Sequence, residues 1–158
     1  MAEKAKLTKI LLVEDNPDDI FIIERAIKEA KIVNQLFITR DGQEGWDFLK
    51  HNGKYSDVAS SPRPGLILLD INLPKLNGLE LLKMIKEDGD LKIIPTVMLT
   101  VSRRDEDILK SYNCGCNSFI QKPVEFEKFV ETVRQIGLYW GVLNVESPAD
   151  NNTTNAIE

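Results

Sequence analysis

The stretch Leu66-Ile67-Leu68-Leu69-Asp70-Ile71-Asn72-Leu73-Pro74 decides the fold. Four large aliphatics in a row, with no polar residue among them, predict a strand buried on both faces, as in a parallel sheet covered by helices. Asp70 follows that run directly, which places a carboxylate at the strand's carboxyl edge, where open α/β sheets hold their ligands. Pro74, Asn77 and Gly78 then punctuate a loop that opens into a helix over 78–88, with Leu79, Leu82 and Ile85 as its apolar line.

Working outward, residues 9–13 form a second buried strand, and it too ends in acid, Glu14-Asp15. Asn16 or Asp15 caps the next helix, Pro17 suits its first turn, and Asp18 and Asp19 favour the positive end of its dipole. Ile20, Ile23, Ile27 and Ala30 recur at helical spacing. A shorter strand is expected over 35–39. The next helix starts at Asp41-Gly42, turns Trp46 and Leu49 inward, and closes at His51-Asn52-Gly53. Residues 54–65, rich in Ser, Pro and Gly, predict a surface loop. A fourth strand over 96–99 ends at Thr100, and a fifth over 118–121 stops at Lys122-Pro123. A charged helix over 104–113 stands between them, and a last helix runs from 125 to about 142. Five strands alternating with five helices predict a five-stranded parallel sheet with helices on both faces, in one α/β domain. The expected boundaries are a polar arm over 1–8, the folded domain over 9–143 and a disordered tail over 144–158.

Composition narrows the function. A chain of 158 residues with 42% hydrophobic and 28% charged residues is an ordinary globular domain, and a net charge of −5 argues against a nucleic-acid surface. No run approaches the roughly 18 apolar residues of a membrane helix. No secretory signal is visible, and Cys114-Gly115-Cys116 does not read as a disulfide framework, so a cytoplasmic setting is expected. His51 reads as a surface residue and the two cysteines as structural. The run Arg103-Arg104-Asp105-Glu106-Asp107 reads as a solvated helix start.

In a parallel sheet all strand carboxyl ends share one edge, which gathers Glu14, Asp15, Asp70, Thr100 and Lys122. Three carboxylates so close require a hard cation, and Mg²⁺ suits oxygen ligands, among them the backbone carbonyl of Asn72. Lys122 adds a fixed positive charge and Thr100 a hydroxyl donor. An aspartate can attack phosphorus to form an acyl phosphate, with cation, ammonium and hydroxyl each taking one oxygen of the developing anion.

Glu14-Asp15, Asp70, Thr100 and Lys122-Pro123, each following its strand, resemble the receiver domain of two-component response regulators, over roughly Lys9 to Trp140. Glu-Asp-Asn-Pro-Asp-Asp, the Ser/Pro-rich insert, Leu-Leu-Asp-Ile-Asn-Leu-Pro and Tyr139-Trp140 are similar to the single-domain regulators of cyanobacterial phytochromes. The resemblance implies a CheY-like, flavodoxin-like (βα)5 doubly wound fold. It implies Asp70 as phosphoacceptor and Mg²⁺, with Mn²⁺ or Ca²⁺ as substitutes. The cation would be held by Asp15, Asp70, the Asn72 carbonyl and Glu14, the last directly or through water. Lys122 would pair with the Asp70 carboxylate and then with a phosphoryl oxygen. Thr100 would swing to that group and Phe119 would follow, altering the surface of the fourth helix, fifth strand and fifth helix. A sensor histidine kinase of phytochrome type is the implied partner. Output would come through protein contact, with homodimerisation through the C-terminal helix region expected from Tyr139 and Trp140. Val101 stands where many relatives have a very small residue, a departure that bears on donor and water access.

Two rivals fit less well. An aspartyl-nucleophile phosphatase would want an acid two residues after Asp70, where Asn72 stands. A nucleotide-binding protein would want a phosphate-cradling loop after the first strand, where Glu14-Asp15 would repel phosphate. No catalytic output beyond phosphoryl transfer from the kinase and slow self-dephosphorylation is expected.

Overall fold

The computed structural model describes residues 8–29, 34–100 and 118–121, with Glu127, Lys128 and Glu131, which are helical, beyond them. Five strands build one sheet: β1 (Thr8–Val13), β2 (Asn34–Thr39), β3 (Leu66–Asp70), β4 (Thr96–Thr100) and β5 (Ser118–Gln121). All are parallel, in the order β2-β1-β3-β4-β5. That is the doubly wound order in which the chain reverses direction across the sheet between β1 and β3.

Every residue of β3 is buried, as its unbroken aliphatic run requires in the middle of a covered sheet. Side chains alternate between faces and so split the core in two. Leu11, Val13, Ile67, Leu69 and Met98 pack with Phe48, Leu49, Leu81, Leu82 and Ile85 on one face. Ile10, Leu12, Leu66, Leu68, Val97 and Leu99 pack with Ile20, Ile23, Ala26 and Ile27 on the other. Each large aliphatic so buried contributes about 1.5–3 kcal/mol.

Three helices are described: α1 (Pro17–Glu29), α2 (Gly42–Lys50) and α3 (Gly78–Glu87). Asn16, rather than Asp15, caps α1, its Oδ1 accepting the N–H groups of Asp18 and Asp19 at 2.8 and 3.2 Å. Asp41 caps α2 through the Glu44 N–H at 2.7 Å. Asn77 and Glu80 form a reciprocal capping box on α3. The buried stripe of α3 is Leu81, Leu82 and Ile85, and Leu79 is only half-buried at its margin. The three-residue spacing from Leu79 to Leu82 hid Leu81, which a stripe wider than one line takes in.

Residues 54–65 are more than a surface loop. A 3-10 turn (Gly53–Tyr55) opens the segment, Ser61 and Pro64 are buried, and the Gly65 N–H donates to the Lys9 carbonyl at 2.7 Å. His51 ends α2 in the left-handed conformation at φ 62°. It is half-buried, not a free surface residue, with Nδ1 3.1 Å from the Ser61 hydroxyl. Arg63 clamps the far end of the loop onto Asp90 at 2.8 Å. The expected helix over 104–113, Cys114, Cys116, Tyr139, Trp140 and the tail over 144–158 lie outside the described residues.

Asp88, just past α3, accepts from Lys50 Nζ at 2.7 Å and from the N–H groups of Leu91 and Asp90 at 2.9 and 2.8 Å. The Lys50 hydrogen bond first, then those two amides, hold its carboxyl down to about 2 from an ordinary 3.8. A depressed carboxyl contributes stability that is complete above its unfolded value and fades as pH falls from there through the folded value. Asp88→Asn is therefore expected to lower the urea midpoint at about pH 6, with the gap to wild type narrowing by about pH 3. A gap unchanged between those two pH values would refute the assignment.

Candidate functional site

At the carboxyl edge of the sheet, Val13 of β1 pairs with Leu69 of β3. One step further along each strand stand Glu14 and Asp70. By alternation both belong to the face that carries Leu12 and Leu68, the face covered by α1. Glu14 is fully buried and Asp70 is 2% exposed, while Asp15 is open to solvent. One carboxylate oxygen from each of the three lies within 4.8 Å of the others. Two hydrogen bonds fix Glu14: its N–H donates to the Thr39 carbonyl at 3.0 Å, and its Oε2 accepts the Asn16 N–H at 3.2 Å.

Asn72 lies two residues beyond Asp70 in an exposed bend. The bend is folded by the Leu73 and Gly78 N–H groups, which both donate to the Ile71 carbonyl, at 3.2 and 2.8 Å. Thr100 closes β4, the strand beside β3, and pairs with Gln121, while Met98 pairs with Phe119. Backbone register thus brings β4 and β5 to the same edge as the acids. The Thr100 and Phe119 side chains, Val101, Lys122 and Pro123 lie outside the described residues.

Three carboxylates this close are an electrostatic liability. Full charges no more than 4.8 Å apart would repel by at least roughly 3.5 kcal/mol per pair at an effective dielectric near 20. A hard divalent cation reverses the sign, and carboxylate and carbonyl oxygens are the donors such a cation takes. The donor set fits a divalent ion, with Glu14, Asp15 and Asp70 as its protein oxygens.

Residues 10–134 match the response regulator receiver domain family. The chain belongs to that family. Response regulator Rcp1 of Synechocystis is 40% identical over 131 residues, covering 83% of this chain and 87% of Rcp1. The crystal structure of the phosphorylated cyanobacterial phytochrome response regulator RcpA superposes with a TM-score of 0.74 at 38% identity, over 85% of this chain and 94% of RcpA. The Mn²⁺-bound form of Rcp1 superposes with a TM-score of 0.72 at 40% identity, over 84% and 94%. This receiver domain is accordingly a two-component response regulator related to the phytochrome regulators, with a CheY-like fold. Family members are signalling proteins that bind a divalent metal, and the acid cluster matches that property. No helix among the described residues is long and apolar enough to cross a membrane.

Sequence reading missed what holds the receiver's acid loop in place. Gly78 begins α3 hard against β3. A Cβ there would stand 2.0 Å from the Asp70 carbonyl oxygen and 2.7 Å from the Ile71 Cα. The signal was available, since glycine is a poor helix former and its use at a first helical position, after a strong cap, marks a close approach. Gly78→Ala is expected to lose at least about 1–3 kcal/mol of stability in urea denaturation, because backbone must move to admit the methyl. Gly89→Ala, which meets nothing within 4 Å, serves as comparator. A Gly78→Ala loss within about 0.5 kcal/mol, the range of neutral surface changes, would mean that the helix start retreats freely.

Proposed function

We propose that the chain is a single-domain response regulator that accepts a phosphoryl group on Asp70 from a histidine kinase of phytochrome type. The observation that supports it most is the convergence of Glu14, Asp15 and Asp70 at the β1/β3 edge, with Asp70 at the end of a fully buried strand. A nucleophile on such a strand is held in one position, and positioning together with charge stabilisation is most of what phosphoryl transfer asks of a protein.

In this reading an Asp70 carboxylate oxygen attacks phosphorus in line. The phosphorus–nitrogen bond of the donor phosphohistidine breaks, and its electron pair returns to the imidazole. Asp15, Asp70, the Asn72 carbonyl and Glu14, directly or through water, would hold Mg²⁺, for which Mn²⁺ or Ca²⁺ could substitute. The ion, when bound, neutralises charge that develops on the phosphoryl oxygens. Lys122 pairs first with the Asp70 carboxylate and then with a phosphoryl oxygen. Thr100 donates its hydroxyl to another, and Phe119 follows Thr100 inward to change the output surface. The chain's own chemistry ends there, with slow self-dephosphorylation restoring the ground state.

The output is contact with protein rather than with nucleic acid or membrane, in a cytoplasmic setting, by a domain over 9–143 between a short arm and a tail. Homodimerisation through the C-terminal helix region is part of this reading, supported by the apolar Tyr139 and Trp140 near the chain end. Sedimentation showing monomer alone at high concentration, with and without a phosphoryl mimic, would remove the dimer.

The decisive test is intact-mass analysis after incubation with a small acyl-phosphate donor. Wild type is expected to gain one phosphoryl mass only when Mg²⁺ is present, and Asp70→Asn to gain none while keeping its far-UV circular dichroism. Robust labelling of Asp70→Asn would refute the phosphoacceptor assignment.

A further inference from the structure

We propose that Gly42, at the start of α2, is a positioning residue for the cation site, because it forms the second wall of the loop that carries the Asn72 carbonyl. This rests on the reading of that carbonyl as a ligand. The loop from Ile71 to Asn77 is closed on one side by Gly78 against the Asp70 carbonyl. On the other side it meets the turn between β2 and α2. The Gly42 N–H donates to the Pro74 carbonyl at 3.4 Å, and that oxygen also accepts from the Leu76 N–H at 2.8 Å. A Cβ on residue 42 would stand 1.7 Å from the Leu76 carbonyl oxygen and 2.6 Å from its carbon. Both contacts are to backbone, so the loop would have to move as a whole.

The loop is not relaxed on its own. Lys75 sits at φ 69°, a left-handed conformation that strains a residue with a Cβ and persists only where surroundings enforce it. Its Nζ is 3.6 Å from Asp41 Oδ2, the carboxylate that caps α2. The turn that provides the wall is itself anchored. Glu44 accepts the Arg40 N–H at 2.9 Å, and its second oxygen takes the Tyr55 hydroxyl at 2.5 Å and Lys54 Nζ at 3.3 Å. Burial pushes the Glu44 carboxyl up, yet the Tyr55, Arg40 and Lys54 hydrogen bonds outweigh it and hold the group below its ordinary value. Burial first, then the hydrogen bond to Glu44 and after it the Glu44 charge, push the Tyr55 hydroxyl up, so it stays a donor. Tyr55 is fixed in turn by its ring, edge-on to Phe48 at 5.2 Å. Contacts thus run from Tyr55, at the head of the 54–65 segment, through Glu44 to the Arg40 N–H, along the 40–42 turn to Gly42, and from Gly42 to Pro74 and Leu76 of the loop that carries Asn72.

Mn²⁺ is the probe, with free ion counted by electron paramagnetic resonance on the full-length chain. Gly42→Ala is expected to bind Mn²⁺ about tenfold or more weakly than wild type, the usual effect of disturbing an outer-shell support. Gly45→Ala is the control, since the atoms nearest its methyl would be Val13 and Leu81 side-chain carbons at 3.1–3.3 Å. Those atoms lie outside the Ile71–Asn77 loop, so Gly45→Ala is expected to keep wild-type affinity. Wild-type affinity in Gly42→Ala, or an equal loss in both variants, overturns the proposal. Should Gly42→Ala lack a folded circular dichroism spectrum, Tyr55→Phe decides, because it keeps the ring and removes only the hydroxyl. A loss of at least about twofold supports the path, and an unchanged affinity overturns it. If wild type itself fails to bind Mn²⁺, the cation reading falls first and this inference with it, an outcome that the wild-type titration alone identifies.

Discussion

Crowded negative charge is the constraint on which the rest of this structure depends. Glu14 and Asp70 are buried side by side at the ends of adjacent strands, and Asp15 stands within reach of both. A fold left to maximise stability would not place three carboxylates there. Deep apolar support stands behind the arrangement. Leu11, Leu12, Val13 and residues 66–69 fill both faces of the sheet immediately upstream of the acids. The strands can therefore hold their termini in register against repulsion, and a divalent cation placed among these oxygens would turn that repulsion into attraction.

Topology decides which residues share that burden. Because β1 and β3 are neighbours and the chain turns away from them in opposite directions, the crevice between their ends is open, and the following loops line it. One loop leads directly into α1, whose Asn16 cap ties it to the Glu14 carboxylate. The other wraps from Asp70 to α3 and is held between two helix starts. Side-chain bulk is excluded on both sides of it, which is why glycine opens both α2 and α3.

The sheet was legible in the sequence because its strongest signal, an unbroken aliphatic run ending in acid, occurs twice with the same meaning. The Glu14, Asp15 and Asp70 cluster was legible for the same reason, since parallel strands must bring their carboxyl ends to one edge. Leu81 was obscured because a single line of helical spacing is narrower than the stripe a sheet covers. The anchoring of residues 54–65 was not legible at all. His51 to Ser61, Arg63 to Asp90 and Tyr55 to Glu44 are contacts across turns, and no periodicity connects the partners. Ser and Pro content reports that a segment is irregular, not that Ser61 and Pro64 are buried.

The parallel register has a consequence for how the molecule comes into being. Strand β1 is made early but must wait for β3 to gain its inner neighbour, because β2 covers only its outer edge. The Glu14–Asp15 pair and Asp70 come from distant parts of the chain, and the glycine that seats the loop follows later still. No local contact along the nascent chain can assemble this charge cluster. It arises only when the long-range pairing of β1 with β3 closes, a step whose loop entropy makes it slow. Premature gathering of like charges is thereby avoided: the repulsion appears only once the hydrophobic sheet that overcomes it is already in place.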